Sequence, residues 1–428
     1  MGNMKTRRDL TGAALADALG PSREVWVSGC SAEIPGLPEL LDEGGVTARI
    51  SGIISPLLNT RSYASPALGR RCRTFFLNRE LRDHLAEGHV DLCPWTYSQI
   101  MRWLCDSAPI DAAIVMVSAP DAEGNVSLGV QCDFLPLFRH RLGRMIAVIN
   151  PHMPFTLGEA LVPLDCFSAV FESDQELLTL PEARQASDPQ IDRIAANIAA
   201  QIPDGATVQC GIGRIPQAVF SRMRDHRDIR VHSGLVDDDI LLLEDLGVLD
   251  RDTPIRTGVA MGSVALYRRI DRNPRFHFCA TDRTHVQDAI CATPGFRSVN
   301  AALQVDLFGQ INAEMVDGRL ISVPGGFPDF VRGAGAAAGA RSIVAVQARG
   351  GAKTRPGIVA ALSHPAQVTA AKTDVDMIVT EFGTAELRDL SMDQRAEALI
   401  GIAAPEDQPA LATAWAEMRS RALGRTPT

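Results

Sequence analysis

Apolar residues in this chain fall into short continuous runs set off by turns rich in glycine, proline and aspartate. Between the runs lie segments whose apolar residues recur every third or fourth position. The continuous runs predict strands covered on both faces of a parallel sheet, and the spaced pattern predicts helices packed against them. Strands are expected at 24–29, 46–54, 90–93, 111–118, 145–150, 207–210, 342–347 and 375–380. Helices are expected around 37–41, 78–88, 97–104, 188–202, 217–224, 392–402 and 409–423. Asp188-Pro189 reads as a helix start, with the cap residue followed by a proline that needs no N–H partner there. Residues 55–73 read as a loop, and 176–187, which carries Pro181 and no period, as an interdomain linker. Strands alternating with helices place the chain in the α/β class.

The stretch Thr207-Val-Gln-Cys-Gly211-Ile-Gly213-Arg-Ile-Pro216 reads as a buried strand, a glycine turn and a helix start. Glycines let backbone approach a ligand, and the N–H groups of a helix start favour an anion. GxGxxP is not the dinucleotide fingerprint, so a phosphate, an oxyanion or a plain tight turn all fit it. The grammar recurs earlier, where an apolar strand reaches Gly29 and Ile34-Pro35 follows. A second pair matches as well: Asp121-x-x-Gly124-Asn-Val and Asp306-x-x-Gly309-Gln-Ile. Both pairs are separated by about 180 residues, which suggests a duplicated α/β unit. The expected organisation is two similar open α/β domains, 1–186 and 187–428.

At 428 residues the chain exceeds one ordinary core. A net charge of −9 argues against a nucleic-acid surface, so any anionic ligand has to be met by local bases and backbone amides. No apolar run reaches the length of about 18 residues that a membrane span needs. Nine scattered cysteines without a CxxC pair fit a reducing compartment, and a cytoplasmic protein is expected. Asp237-Asp238-Asp239 could suggest a metal, but its spacing suits a helix N-terminus better. His232, at a strand end, is a candidate general base. Gly350-Gly-Ala-Lys353-Thr354 lacks the glycine that a phosphate loop carries before its lysine.

Taken together, several motifs resemble the acetyl-CoA hydrolase/transferase family of class I CoA-transferases. They are residues 209–216, Ser298-Val-Asn-Ala-Ala-Leu-Gln-Val-Asp-Leu-Phe-Gly-Gln-Ile-Asn312, Gly325-Gly-Phe-Pro-Asp-Phe-Val-Arg-Gly333, Val379-Thr-Glu-Phe-Gly383 and Val117-Ser-Ala-Pro-Asp-Ala-Glu-Gly-Asn-Val-Ser-Leu-Gly129. The resemblance implies two α/β domains with a CoA-thioester site between them. It implies acyl-CoA and a small carboxylate as substrates, no tightly bound cofactor or metal, and a homo-oligomer, dimer or tetramer. Gly211, Gly213, Pro216, Gly234, Gly325, Gly326 and Asp329 would bind the CoA or acyl group. The family's nucleophile is the glutamate of an HTExxxDG stretch. Here that stretch reads His232-Ser233-Gly234, with Asp238 matching the aspartate and Asp239 in place of the glycine. A glycine cannot carry a covalent thioester. His232 and Asp238 remain as candidate catalytic bases, and His285-Val-Gln-Asp288 stands where the family has an Asn-Asn-Pro stretch. A CoA-transferase or thioesterase without the glutamate, a CoA binder without turnover, and a non-catalytic subunit are all consistent with the residues.

Overall fold

The computed structural model describes residues 8–422 apart from 55–57, 59–61, 78, 181–187, 212 and 352–353. Most of the expected linker and Lys353 therefore lie outside the described residues. Residues 176–180 have no regular structure. The chain divides into two compact units. The first holds the described residues of Met1–Ala183 with Ser233–Asp238 and Thr253–Thr284; the second holds those of Arg184–His232, Asp239–Asp252 and His285–Thr428.

The first unit is built on an eight-stranded sheet. Its order is Arg8–Asp9, Ala169–Glu172, Arg144–Ile149, Ala112–Val117, Glu24–Val27, Arg49–Gly52, Cys72–Thr74, Val90–Leu92, and every pairing is parallel. Every residue of Glu24–Val27 and Ala112–Val117 is buried, as strands covered on both faces should be. From Glu24–Val27 the chain first winds outward through Arg49–Gly52 to Val90–Leu92. It then returns to the other side of the same strand with Ala112–Val117. The topological switch point thus lies between these two strands, and the crevice beyond their carboxyl ends is where open α/β sheets take ligands. Ser28-Gly29-Cys30 emerges there. A Cβ at Gly29 would meet Ile53 O at 2.2 Å, so only glycine lets the two backbones come this close.

The second unit carries a six-stranded sheet ordered Arg230–Val231, Thr207–Cys210, Phe296–Ala301, Arg341–Ala345, Met377–Thr380, Gly383–Glu386. It is parallel except for the final hairpin. The helix Met392–Gly401 starts with a capping box between Ser391 and Gln394. Leu411 and Trp415 bring the helix Gln408–Ala422 onto the same core as Val344 and Ile378.

Three expectations need correction. The helix after the glycine turn starts at Arg214, not at Gln217. Pro216 falls in its first turn, where N–H groups have no helical partner to lose. The turn at 120–129 contains a short strand, Asn125–Ser127, paired antiparallel with Leu161–Pro163. The loop 55–73 ends in Cys72–Thr74, which joins the sheet.

The matching turns have one architecture. Asp121 Oδ1 accepts from Glu123 N and Asn125 N, and Asn125 Nδ2 donates to Asp121 Oδ2. Asp306 Oδ1 accepts from Phe308 N and Gln310 N, and Gln310 Nε2 donates to Asp306 Oδ2. Gly124 and Gly309 occupy the fourth position with φ of +81° and +89°, which favours glycine.

Candidate functional site

Within the second unit, Thr207–Cys210 runs out at Gly211. A Cβ at Gly211 would lie 3.2 Å from Asn300 Oδ1. Asn300 exchanges amide hydrogen bonds with Gln209 at 3.1 and 3.5 Å, which ties the ends of two neighbouring strands together. Gly213 has φ +122° and begins the helix Arg214–Arg222 with no side-chain cap. Gly325 has φ +55°, and Gly326 begins the helix Phe327–Ala336, again with no side-chain cap. By contrast, Thr11, Thr96, Ser263 and Ser391 cap the helices that follow them. A glycine start offers its N–H groups to an incoming acceptor, although Phe327 N turns back to Pro324 O at 3.3 Å. Pro216 and Asp329 are buried in the first turns of these two helices.

His232 ends the edge strand, buried, with its ring edge-on to Phe296 at 5.6 Å. Its Nδ1 lies 3.2 Å from Thr293 Oγ1. That hydroxyl already donates its proton to Ala289 O at 2.9 Å, so it accepts from the histidine. In this contact Nδ1 is therefore the donor. His285 lies 4.6 Å from the Phe330 ring, and a Cβ at Gly326 would fall 2.7 Å from His285 Nε2. Burial first, and His232 second, pull His285 down from 6.5 to about 3, so it is neutral near pH 7.

Within the first unit, the Gly234 carbonyl accepts from Gly258 N at 3.2 Å and Val259 N at 3.1 Å. Leu235–Val236 pairs in parallel with Val259–Ala260. Asp238 accepts from Ser263 N at 2.9 Å and Ser263 Oγ at 2.6 Å, while Ser263 Oγ accepts from Ala265 N to cap Val264–Ile270. Both oxygens of Asp238 thus hold a helix start. Asp239 lies in the first turn of Asp239–Asp245, in the second unit. Among the described residues, no group of three or more His, Cys, Asp or Glu could hold a metal ion. No described helix is long and apolar enough to cross a membrane.

One buried carboxyl carried no mark in the sequence. Asp133 accepts from Phe134 N at 2.8 Å and Gln131 Nε2 at 3.3 Å. Burial nevertheless raises it from 3.8 to about 7. No motif contains it, because its environment is assembled from residues far apart in the chain.

Two family models match: the acetyl-CoA hydrolase/transferase N-terminal domain over residues 55–179 and the corresponding C-terminal domain over 262–415. A 4-hydroxybutyrate coenzyme A transferase of Clostridium kluyveri is 30% identical over 82% of this chain and 83% of its own length. An acetyl-CoA hydrolase of Yarrowia lipolytica is 26% identical over 57% of this chain and 48% of its own. The crystal structure of RipA from Yersinia pestis superposes with a TM-score of 0.86 at 26% identity, covering 96% of this chain and 97% of that one. With both halves of the sequence and the fold in agreement, the chain belongs to the acetyl-CoA hydrolase/transferase family.

Proposed function

We propose that the protein is an acyl-CoA-dependent enzyme, a CoA-transferase or acyl-CoA thioester hydrolase acting on a small carboxylic acid without a glutamate nucleophile. The observation that carries this reading is residue 234 itself. Gly234 offers no side chain to attack a thioester, yet its carbonyl is pinned at two points by Gly258 N and Val259 N. The second unit retains two glycine-started helices, at Gly213 and Gly326, suited to holding an oxyanion or the CoA. Attack on the acyl carbon then comes directly from water or from the second carboxylate, with His232 and Asp238 as candidate bases. Coenzyme A is a substrate in this reading, no cofactor stays bound, and the protein is a cytoplasmic homo-oligomer. The engagement of both Asp238 oxygens by Ser263 favours a second reading, a CoA or acyl-CoA binder without turnover or a non-catalytic subunit.

The test is a panel of acyl-CoAs with and without acetate, following free thiol and CoA exchange. Exchange without thiol release marks a transferase, and release alone marks a hydrolase. Binding with neither marks the second reading. In the same assay, Gly234→Glu is expected to gain exchange together with a borohydride-sensitive enzyme thioester. If it gains neither, residue 234 is not the nucleophile position.

A further inference from the structure

We propose that Asp133 is the general base of thioester cleavage, taking the proton of a water molecule lodged beside Gly234. The proposal rests on the acyl-CoA reading and deepens it, by placing proton transfer on a carboxyl of the first unit. Three backbone segments bring Asp133 there. Residues 130–133 run antiparallel to 258–260 through the Gln131–Val259 bridge, Ala260 N to Val130 O at 2.9 Å and Cys132 N to Gly258 O at 2.9 Å. On its other edge, 258–260 binds Gly234–Val236. Gly258 stands between the two: a Cβ there would lie 3.3 Å from Gly234 O and 3.6 Å from Asp133 Cβ. Asp133 therefore approaches the Gly234 backbone across a residue that has no side chain.

The carboxyl is oriented as well as near. Thr281 N and Oγ donate to Asp133 O at 2.7 and 2.9 Å and fix its backbone. Gln131 spans from Asp133 Oδ2 to Gly29 N, which donates to Gln131 Oε1 at 2.6 Å. Gly29 follows the strand at the switch point, so the carboxyl is tied to the crevice where this sheet should take a ligand. The ionisable groups that face it are the thiols of Cys30 and Cys132 and the phenol of Tyr97. Burial pushes all three upward, so all three are neutral near pH 7. Among the described residues no charged partner fixes Asp133 in one state, and its position at about 7 suits a group that accepts and then returns a proton.

The step balances. Asp133 carboxylate takes one proton from water as the water oxygen bonds to the thioester carbonyl carbon. When the C–S bond breaks, the sulfur leaves with the electron pair and takes that proton from the Asp133 carboxylic acid. The products are free CoA and the carboxylic acid, with Asp133 ionised again.

The experiment measures hydrolysis of acetyl-CoA and butyryl-CoA against pH in the full-length protein. Wild type is expected to gain rate with rising pH through a limb near 7. Asp133→Asn should lower kcat by at least about 100-fold with KM nearly unchanged, and should lose the limb. If Asp133→Asn does not fold, Gln131→Met decides: removing a donor that favours the carboxylate should move the limb to higher pH. Single turnover in 18O-water should label the product acid and leave the Asp133 peptide unlabelled. Label in that peptide would make Asp133 a nucleophile and overturn the proposal. So would an unchanged limb in Gln131→Met, or an unchanged rate in folded Asp133→Asn, either of which leaves the acyl-CoA reading intact. A wild type that exchanges CoA without releasing thiol overturns the proposal alone, and one that does neither overturns both.

Discussion

At the scale of single residues, the glycines carry specific geometric demands. Gly326 is one residue where a methyl group has no room, because His285 Nε2 occupies the position. Gly326→Ala should cost about 1–3 kcal/mol in urea unfolding, the range for overpacking a closed site, and should also weaken CoA binding. A variant as stable as wild type would show that His285 moves aside freely. Glycines of this kind were legible beforehand, since a turn between strand and helix announces itself in the sequence. The titrating groups were not. His285 looked only like a departure from a family stretch, and Asp133 looked like nothing. Their properties come from burial and from neighbours such as His232 and Gln131, assembled by the fold.

At the scale of elements, the paired turns give a quantitative comparison within one molecule. Asp121 and Asp306 each accept two backbone N–H bonds and one side-chain amide, so Asp→Ala removes the same three bonds from either. Asp306 is 1% exposed, whereas Asp121 is half-buried. Asp121→Ala should cost about 1–2 kcal/mol and Asp306→Ala about 3, because the amides of half-buried Phe308 and Gln310 turn to water less readily than that of exposed Glu123. Equal losses in chemical denaturation would contradict that account. The turns were readable because aspartate and glycine at fixed offsets leave the backbone little choice. Buried strands were readable from their unbroken apolar runs. Asn125–Ser127 was missed because three residues are too few to show a period, and its pairing partner lies over thirty residues on. The pattern places the helix after Pro216, at Gln217, whereas the helix starts at Arg214, because a proline is equally at home inside the first turn.

At the scale of the whole chain, His285 and Asp133 make the two units respond oppositely to acid. The folded value of His285 is depressed to about 3, so from pH 6.5 downward the unfolded chain binds a proton that the native one refuses, and stability falls with falling pH. The folded value of Asp133 is raised to about 7, so from pH 3.8 upward the unfolded chain releases a proton that the native one keeps, and stability falls with rising pH. Between these limits the two slopes offset each other. Asp133→Asn should expose the first, a loss of about 3 kcal/mol from pH 6.5 to 4, and His285→Asn the second, a loss of about 4 kcal/mol from pH 4 to 7. Urea titrations across that range check both, and parallel curves for the two variants would refute the pairing.

The interleaving of the two units along the chain also bears on synthesis. The first unit is not complete at residue 183, since it still needs Ser233–Asp238 and Thr253–Thr284. Leu157–Gly158 finds its sheet partner only in Phe276–Phe278. On a translating ribosome this amino-terminal unit therefore waits for about a hundred further residues before its last strand pairings can close. Those strand edges stay unpaired meanwhile, and the second unit is already partly made before the first is finished.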